Sequence, residues 1–160
     1  MKTIQAMTRL VTALLLSLCV LPLPAKAQEG ANFSAEQLEQ IVAPIALYPD
    51  SLLTQVMMAS TYPLEVVEAD RFMKQNKNLK GSALESALKD KSWDPSVKAL
   101  CTLPDVLAKM SENLDWTQDL GDAFLAQKTE VMDTVQRMRG KAYDAGNLKS
   151  TEQQVVTQQP

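Results

Sequence analysis

The chain of 160 residues carries 16 basic and 19 acidic side chains and no histidine, so it lacks the residue on which Ser-His-Asp and Cys-His catalysis and most zinc sites depend. Its five glycines are not spaced as GxGxxG or GxxxxGK, the two common phosphate-binding patterns. The basic residues are scattered and the formal net charge is −3, so we expect no cofactor, no metal and no nucleic-acid partner.

Residues 1–27 have the order of a secretory signal peptide. A short basic start precedes an apolar run over residues 10–21, and residues 25–27 (Ala-Lys-Ala) place small side chains at the two positions that a signal peptidase reads. The apolar run is shorter than the roughly 20 residues that a membrane-spanning helix needs. We therefore predict export to the periplasm, cleavage between Ala27 and Gln28, and no transmembrane span in the mature chain.

The two cysteines have different expected roles. Cys19 resembles the cysteine of a lipoprotein signal, but bulky Leu18 precedes it where lipid attachment requires a small residue, so we expect Cys19 to be removed with the signal. Removal of the signal leaves 133 residues, a length that suits one domain, with a formal net charge of −6. Cys101 then remains as a single thiol, which we interpret as a small buried side chain. A disulfide between the Cys101 residues of two subunits is the alternative.

Apolar residues recur with helical spacing through most of residues 34–146, which predicts an all-α domain over that range. Prolines, capping side chains or polar breaks separate successive apolar stripes. The predicted helices begin, in chain order, near Ser34, Pro49, Pro63, Gly81, Pro95, Pro104 and Asp115. Pro44 falls within the first stripe and should kink or shorten that helix.

The last predicted helix is the longest. Residues 115–118 (Asp-Trp-Thr-Gln) resemble a capping box, and the apolar stripe after them continues to Tyr143, with Gly146 as the stop. The expected architecture is a compact array of short helices with proline-started turns plus one long C-terminal helix. We predict that residues 28–33 are a linker and that residues 147–160, rich in Gln, are an extended or disordered tail at a truncated C terminus.

Aromatic side chains are the candidate binding residues. Tyr48, Tyr62, Trp93 and Trp116 each lie at or just before a predicted helix start. Rings at such positions commonly pack the helix entry onto the core, although Trp and Tyr also dominate binding energies at interfaces. Both interpretations stay open, and these four residues are the candidate partner-binding set.

Carboxylates are the remaining candidates for catalysis. Glu85 with the following serine is similar to the Glu-Ser pair of lytic transglycosylases, in which a half-buried Glu protonates the glycosidic oxygen. The Gly-Leu-Met-Gln stretch of that family does not follow, so we interpret Glu85 as a solvated residue and predict no catalytic residue. An acidic stripe near the last helix cannot wrap a calcium ion, and we interpret it as a charged helix face. Its members are Glu112, Asp115, Asp119 and Asp122.

Five segments carry long and specific motifs. They are residues 42–50 (VAPIALYPD), 58–66 (MASTYPLEV), 93–100 (WDPSVKAL), 113–124 (NLDWTQDLGDAF) and 146–150 (GNLKS). Together these motifs resemble the bacterial family called domain of unknown function 3300, over about residues 38–157. The resemblance implies an exported envelope protein without an assigned activity, and it carries no catalytic residues. Many family members continue into a segment rich in Val, Tyr and Pro that is absent here.

These observations favour a non-enzymatic exported module that binds another envelope protein or itself, through the exposed side of the last helix. The alternative is a peptidoglycan- or glycan-binding protein, or a wall-active protein that uses carboxylates. A small-ligand carrier is a third interpretation, because methionine side chains pack adaptably.

Overall fold

Eight α-helices and no strand form residues 32–146, the part of the chain that the computed structural model describes. In chain order the helices are α1 (Ala35–Val42), α2 (Asp50–Ser60), α3 (Pro63–Gln75), α4 (Gly81–Lys89), α5 (Pro95–Leu100), α6 (Pro104–Glu112), α7 (Leu114–Ala126) and α8 (Lys128–Asp144). This arrangement confirms the all-α prediction.

Most helix starts follow from the local sequence. The Ser34 hydroxyl accepts a hydrogen bond from the Gln37 N–H and the Gln37 side chain accepts one from the Ser34 N–H, which completes the predicted capping box of α1. The Asp94 carboxylate caps α5. Proline opens α3, α5 and α6, where its missing N–H costs no helical hydrogen bond. As predicted from the position of Pro44, α1 is short and ends at Val42.

The single long helix predicted from Asp115 to Tyr143 is two helices in the structure, α7 and α8. Gln127 has non-helical backbone angles (φ −137°, ψ 47°) and separates α7 from α8. Asp115 lies in the first turn of α7 instead of at its cap, because that helix already begins at Leu114. With 17 residues, α8 is still the longest helix of residues 32–146.

The break at Gln127 has a tertiary cause. The Gln127 amide accepts a hydrogen bond from the Phe33 N–H (2.7 Å) and donates one to the Phe33 carbonyl (3.2 Å). The change of direction also lets α7 pack against α2 while α8 packs against α1. One straight helix could not follow both partners.

The helices bury a single core. The α2–α3 pair packs on the α5–α6 pair, with α2 against α5 and α3 against α6. Buried residues from all eight helices belong to one apolar cluster, including Leu38, Leu53, Val66, Leu84, Val97, Leu107, Leu120 and Val131. Cys101 lies within this cluster, as predicted, and its Sγ donates to the Val97 carbonyl.

Two close contacts position the helices around this core. A Cβ atom on Gly121 of α7 would lie 2.4 Å from the carbonyl oxygen of Ser60, so only glycine permits this approach to the end of α2. Arg139 of α8 secures the turn between α1 and α2. Its guanidinium donates to the carbonyls of Ala46 and Tyr48, both at 2.7 Å, and to the Asp50 carboxylate at 2.6 Å.

No helix within residues 32–146 has both the length and the apolar character required to cross a bilayer.

Candidate functional site

The four predicted binding residues lie at four different helix junctions. Tyr48 lies in the α1–α2 turn and is half-buried, and Tyr62 precedes α3 and is 42% exposed. Trp93 precedes α5 and is only 7% exposed, whereas Trp116 lies in the first turn of α7 and is half-buried. Their accessibility therefore differs greatly, and Tyr62 offers the most surface.

Trp93 is held by its neighbours. Its Nε1–H donates to the Glu68 carboxylate of α3 at 3.0 Å, and its ring meets Phe72 edge-on with centroids 5.8 Å apart. The Lys91 ammonium lies 4.7 Å from the centroid of Phe72 and 5.2 Å from that of Trp93, within the range of a cation–π contact. The side chain of Trp93 therefore packs the segment that precedes α5 against α3.

The junction of α2 and α3 exposes three large apolar side chains close together in sequence. Met58 is 44% exposed, Tyr62 is 42% exposed and Leu64 is 80% exposed. We call these three residues the apolar corner. The backbone of Tyr62 leaves the helical region (φ −125°, ψ 58°), which ends α2 and redirects the chain into α3.

Leu64 is one of the apolar residues that recur along the predicted helix beginning near Pro63. The structure buries Val66, Ala69 and Met73 on α3 and leaves Leu64 outside. At about 100° per residue, Leu64 lies nearly opposite Val66 on the helix, so its register relative to the stripe was the signal that could have identified it.

A second leucine is strongly exposed on α7. Leu125 of α7 is 71% exposed and follows Gly121 by one turn, and Gly121 contacts Ser60 at the end of α2. The sequence analysis did not single out Leu125.

A pocket of about 280 Å³ lies between α1 and α7, and we call it the Trp116 pocket. Its lining residues are Phe33, Gln37, Gln40, Ile41, Trp116 and Asp119. The Nε1–H of Trp116 donates to the carbonyl of Ile41 at 2.8 Å, which ties the indole to α1. The sequence analysis named Trp116 as a candidate ring and placed Asp119 in the acidic stripe. It did not predict that either residue lies beside α1.

The carboxylates that the sequence analysis considered for catalysis or calcium binding lie on helix surfaces. Glu85 is exposed on α4, and the four residues of the acidic stripe are all exposed. Within residues 32–146 no group of three or more Asp, Glu or Cys side chains is arranged to hold a metal ion. The predicted cleavage site between Ala27 and Gln28 and the tail over residues 147–160 lie outside the described residues.

Burial determines the chemistry of Cys101. The side chain is 1% exposed, and burial raises the pKa of its thiol to about 11. The thiol is therefore protonated at neutral pH, which is the form that does not act as a nucleophile.

Comparison with known proteins identifies a family and one close relative. The model of a family described as "Protein of unknown function (DUF3300)" matches residues 34–160. The "Uncharacterized protein YacH" of Escherichia coli (strain K12) is 53% identical over 126 residues, which cover 78% of this chain and 20% of that protein. The chain thus spans about a fifth of the length of this relative. No solved structure matches the chain.

Proposed function

This chain belongs to the DUF3300 family of proteins of unknown function, and from that premise we propose that it is an exported helical module that binds a protein partner in the cell envelope and catalyses no reaction. The observation that supports the binding role is the apolar corner. The export role rests on the signal-like sequence of residues 1–27.

The apolar corner combines exposure with limited freedom of movement. Leu64 is 80% exposed although it lies in the first turn of a helix that the core holds firmly. Large exposed apolar side chains on a rigid helix junction are typical of protein-binding sites, because a partner removes them from water without ordering a loop. Tyr62 adds an aromatic ring with a polar tip, the kind of residue enriched among those that dominate binding energy.

Site-specific photo-crosslinking in the cells that naturally produce the protein tests this proposal. We expect a photoreactive residue in place of Leu64 to give a discrete crosslinked protein, identified by mass spectrometry. The same residue in place of Ser82, an exposed position on α4, is the control and should give none. A product of twice the monomer mass would identify the partner as a second copy.

A charge introduced at the corner provides the second measurement. We expect Leu64→Asp to reduce recovery of the crosslinked or co-purified partner by more than about tenfold, because it places a carboxylate in an apolar contact. Leu103→Asp makes the same change at an exposed leucine between α5 and α6 and should leave recovery unchanged. Equal recovery with both variants, or equal crosslinking from positions 64 and 82, would contradict the proposal.

The export role has a separate test. We expect the protein in the periplasmic fraction to begin at Gln28 when its mass is measured. A chain that retains residues 1–27, or one that carries lipid on Cys19, would contradict the predicted processing.

A further inference from the structure

Both aromatic walls of the Trp116 pocket are held by hydrogen bonds from distant parts of the chain. Trp116 is tied to α1 through the carbonyl of Ile41, 75 residues away in sequence. Phe33 is fixed through both its main-chain N–H and its carbonyl, which pair with the amide of Gln127, 94 residues away. The walls are therefore in position before any ligand arrives, which lowers the entropic cost of binding.

Some polar groups that line the pocket already have hydrogen-bond partners within the protein, and others do not. The indole N–H of Trp116 is committed to Ile41, so the ring offers the pocket only its apolar carbon surface. Within residues 32–146, neither Gln40 nor Asp119 makes a side-chain hydrogen bond or an ion pair, although both line the pocket. Their oxygens can accept hydrogen bonds from a ligand.

The charge of the lining indicates the sign of the ligand. Asp119 is the only charged residue among the six that line the pocket. An anionic ligand would be repelled by this carboxylate. A cation would be attracted by it, and the two aromatic side chains offer apolar surface to its carbon atoms.

We propose that the Trp116 pocket binds a primary ammonium group on a short alkyl stem, the chemistry shared by a lysine side chain and a small alkylamine. The ammonium N–H groups donate to the carboxylate of Asp119 and the amide oxygen of Gln40, while the stem packs against Trp116 and Phe33. A pocket of about 280 Å³ is smaller than most sites for drug-sized ligands and suits such a group. This site is independent of the apolar corner.

Nuclear magnetic resonance titration with n-butylammonium chloride at constant ionic strength tests the proposal. We expect a saturable shift of the indole N–H resonance of Trp116 and of the side-chain amide of Gln40. The chain has two tryptophans, and Trp93 serves as the internal control because it lies against α3, so its indole resonance should not move. n-Butanol, which has a similar stem without the charge, should give no saturable shift.

Two matched variants test whether the Asp119 carboxylate is required for binding. We expect Asp119→Asn to weaken n-butylammonium binding by about fivefold or more, because it removes the charge that faces the ammonium. Asp122→Asn removes an exposed carboxylate of the same helix outside the pocket lining and should leave affinity unchanged. Binding of a lysine blocked at both its amino and carboxyl ends would favour a protein side chain as the natural ligand, and its exclusion would favour a free amine.

Three outcomes would overturn the proposal. They are the absence of a saturable shift at Trp116, equal binding of n-butanol, and equal weakening by the Asp119 and Asp122 variants. Binding of N-acetylglucosamine that survives Asp119→Asn, without binding of n-butylammonium, would show a sugar site instead. Because these measurements do not involve Leu64, their failure is distinguishable from failure of the proposed protein contact.

Discussion

Three side chains join segments that are far apart in sequence by bonding to main-chain atoms. Trp116 bonds to the last turn of α1, Arg139 bonds to the connection from α1 to α2, and Gln127 bonds to the segment before α1. The last carbonyls of a helix and the main-chain groups outside helices have no regular helical partner, so they need partners from elsewhere. Hydrogen bonds from a charged donor such as Arg139 stabilise by about 1.5–3 kcal/mol.

Gly121 is the residue at which a single methyl group should have the largest effect. We expect Gly121→Ala to lower the free energy of unfolding by about 1–3 kcal/mol, because its Cβ would overlap the backbone carbonyl of Ser60, which cannot rotate away. Chemical denaturation followed by circular dichroism measures the change.

Gly140→Ala is the matched control. Gly140 lies inside α8, and a Cβ there would have no atom within 4 Å. Alanine has the higher helix propensity, so this variant should gain up to about 1 kcal/mol. A loss of stability at Gly140, or none at Gly121, would contradict the packing described for α7 against α2.

Because the Cys101 thiol is buried, we expect the free energy of unfolding to depend on pH. Burial raises the thiol pKa from its ordinary value of 9.0 to about 11, so the unfolded chain releases this proton at lower pH than the folded protein does. The resulting contribution to stability is complete below about pH 9 and is lost as the pH rises towards 11. The stability advantage of the wild type over Cys101→Ala should therefore shrink across this range in urea titrations.

A thiol reagent gives an independent check on Cys101. We expect no rapid modification of the native protein and complete modification after unfolding in urea. Rapid labelling of the native protein, or a wild-type advantage that is constant through alkaline pH, would contradict burial of the protonated thiol.

At the scale of helices, local signals predicted the starts and tertiary contacts determined the breaks. Proline, Ser34 and Asp94 act within one or two turns, so their effect can be read from adjacent residues. The break at Gln127 depends on Phe33, which is 94 residues away, and no local pattern reports that pairing. The same reasoning applies to the Trp116 pocket, because its two aromatic walls, Phe33 and Trp116, are far apart in sequence.

Gln127 therefore offers a test of how α7, α8 and the N-terminal segment are joined. We expect Gln127→Ala to expose the Phe33 amide to rapid hydrogen exchange and to lower stability by about 1–2 kcal/mol, because both side-chain hydrogen bonds to Phe33 are lost. Gln136→Ala, an exposed position on α8, is the control and should change neither quantity. Unchanged protection at Phe33 would show that Gln127 does not hold this segment.

At the scale of the whole molecule, the sequence predicts one domain over residues 34–146, and a shared core predicts that it unfolds in one step. Trp93 and Trp116 report on different regions, so each can be observed alone in a Trp116→Phe or Trp93→Phe variant. We expect fluorescence and far-ultraviolet circular dichroism to give the same transition within each variant. Two separate transitions in either variant would contradict a single cooperative unit.

The fold class was predictable from the whole pattern of apolar spacing, because all eight helices bury stripes in one core. The exposed surfaces were less predictable from the sequence. A polar or apolar residue on the outside is not constrained by packing, so the apolar pattern did not predict the exposure of Leu64 and Leu125. Candidate rings could be named from the sequence, but their burial depended on tertiary partners such as Glu68 for Trp93.

The pairing of Gln127 with Phe33 has a mechanical consequence. It places the entry of the chain beside the first turn of α8, while the chain leaves the described region at the far end of that helix, about 25 Å away. A pulling force applied between the two ends of residues 32–146 would therefore run lengthwise along α8 and slide it against α1. All the contacts between these two helices would resist together, as in shear, instead of separating one after another.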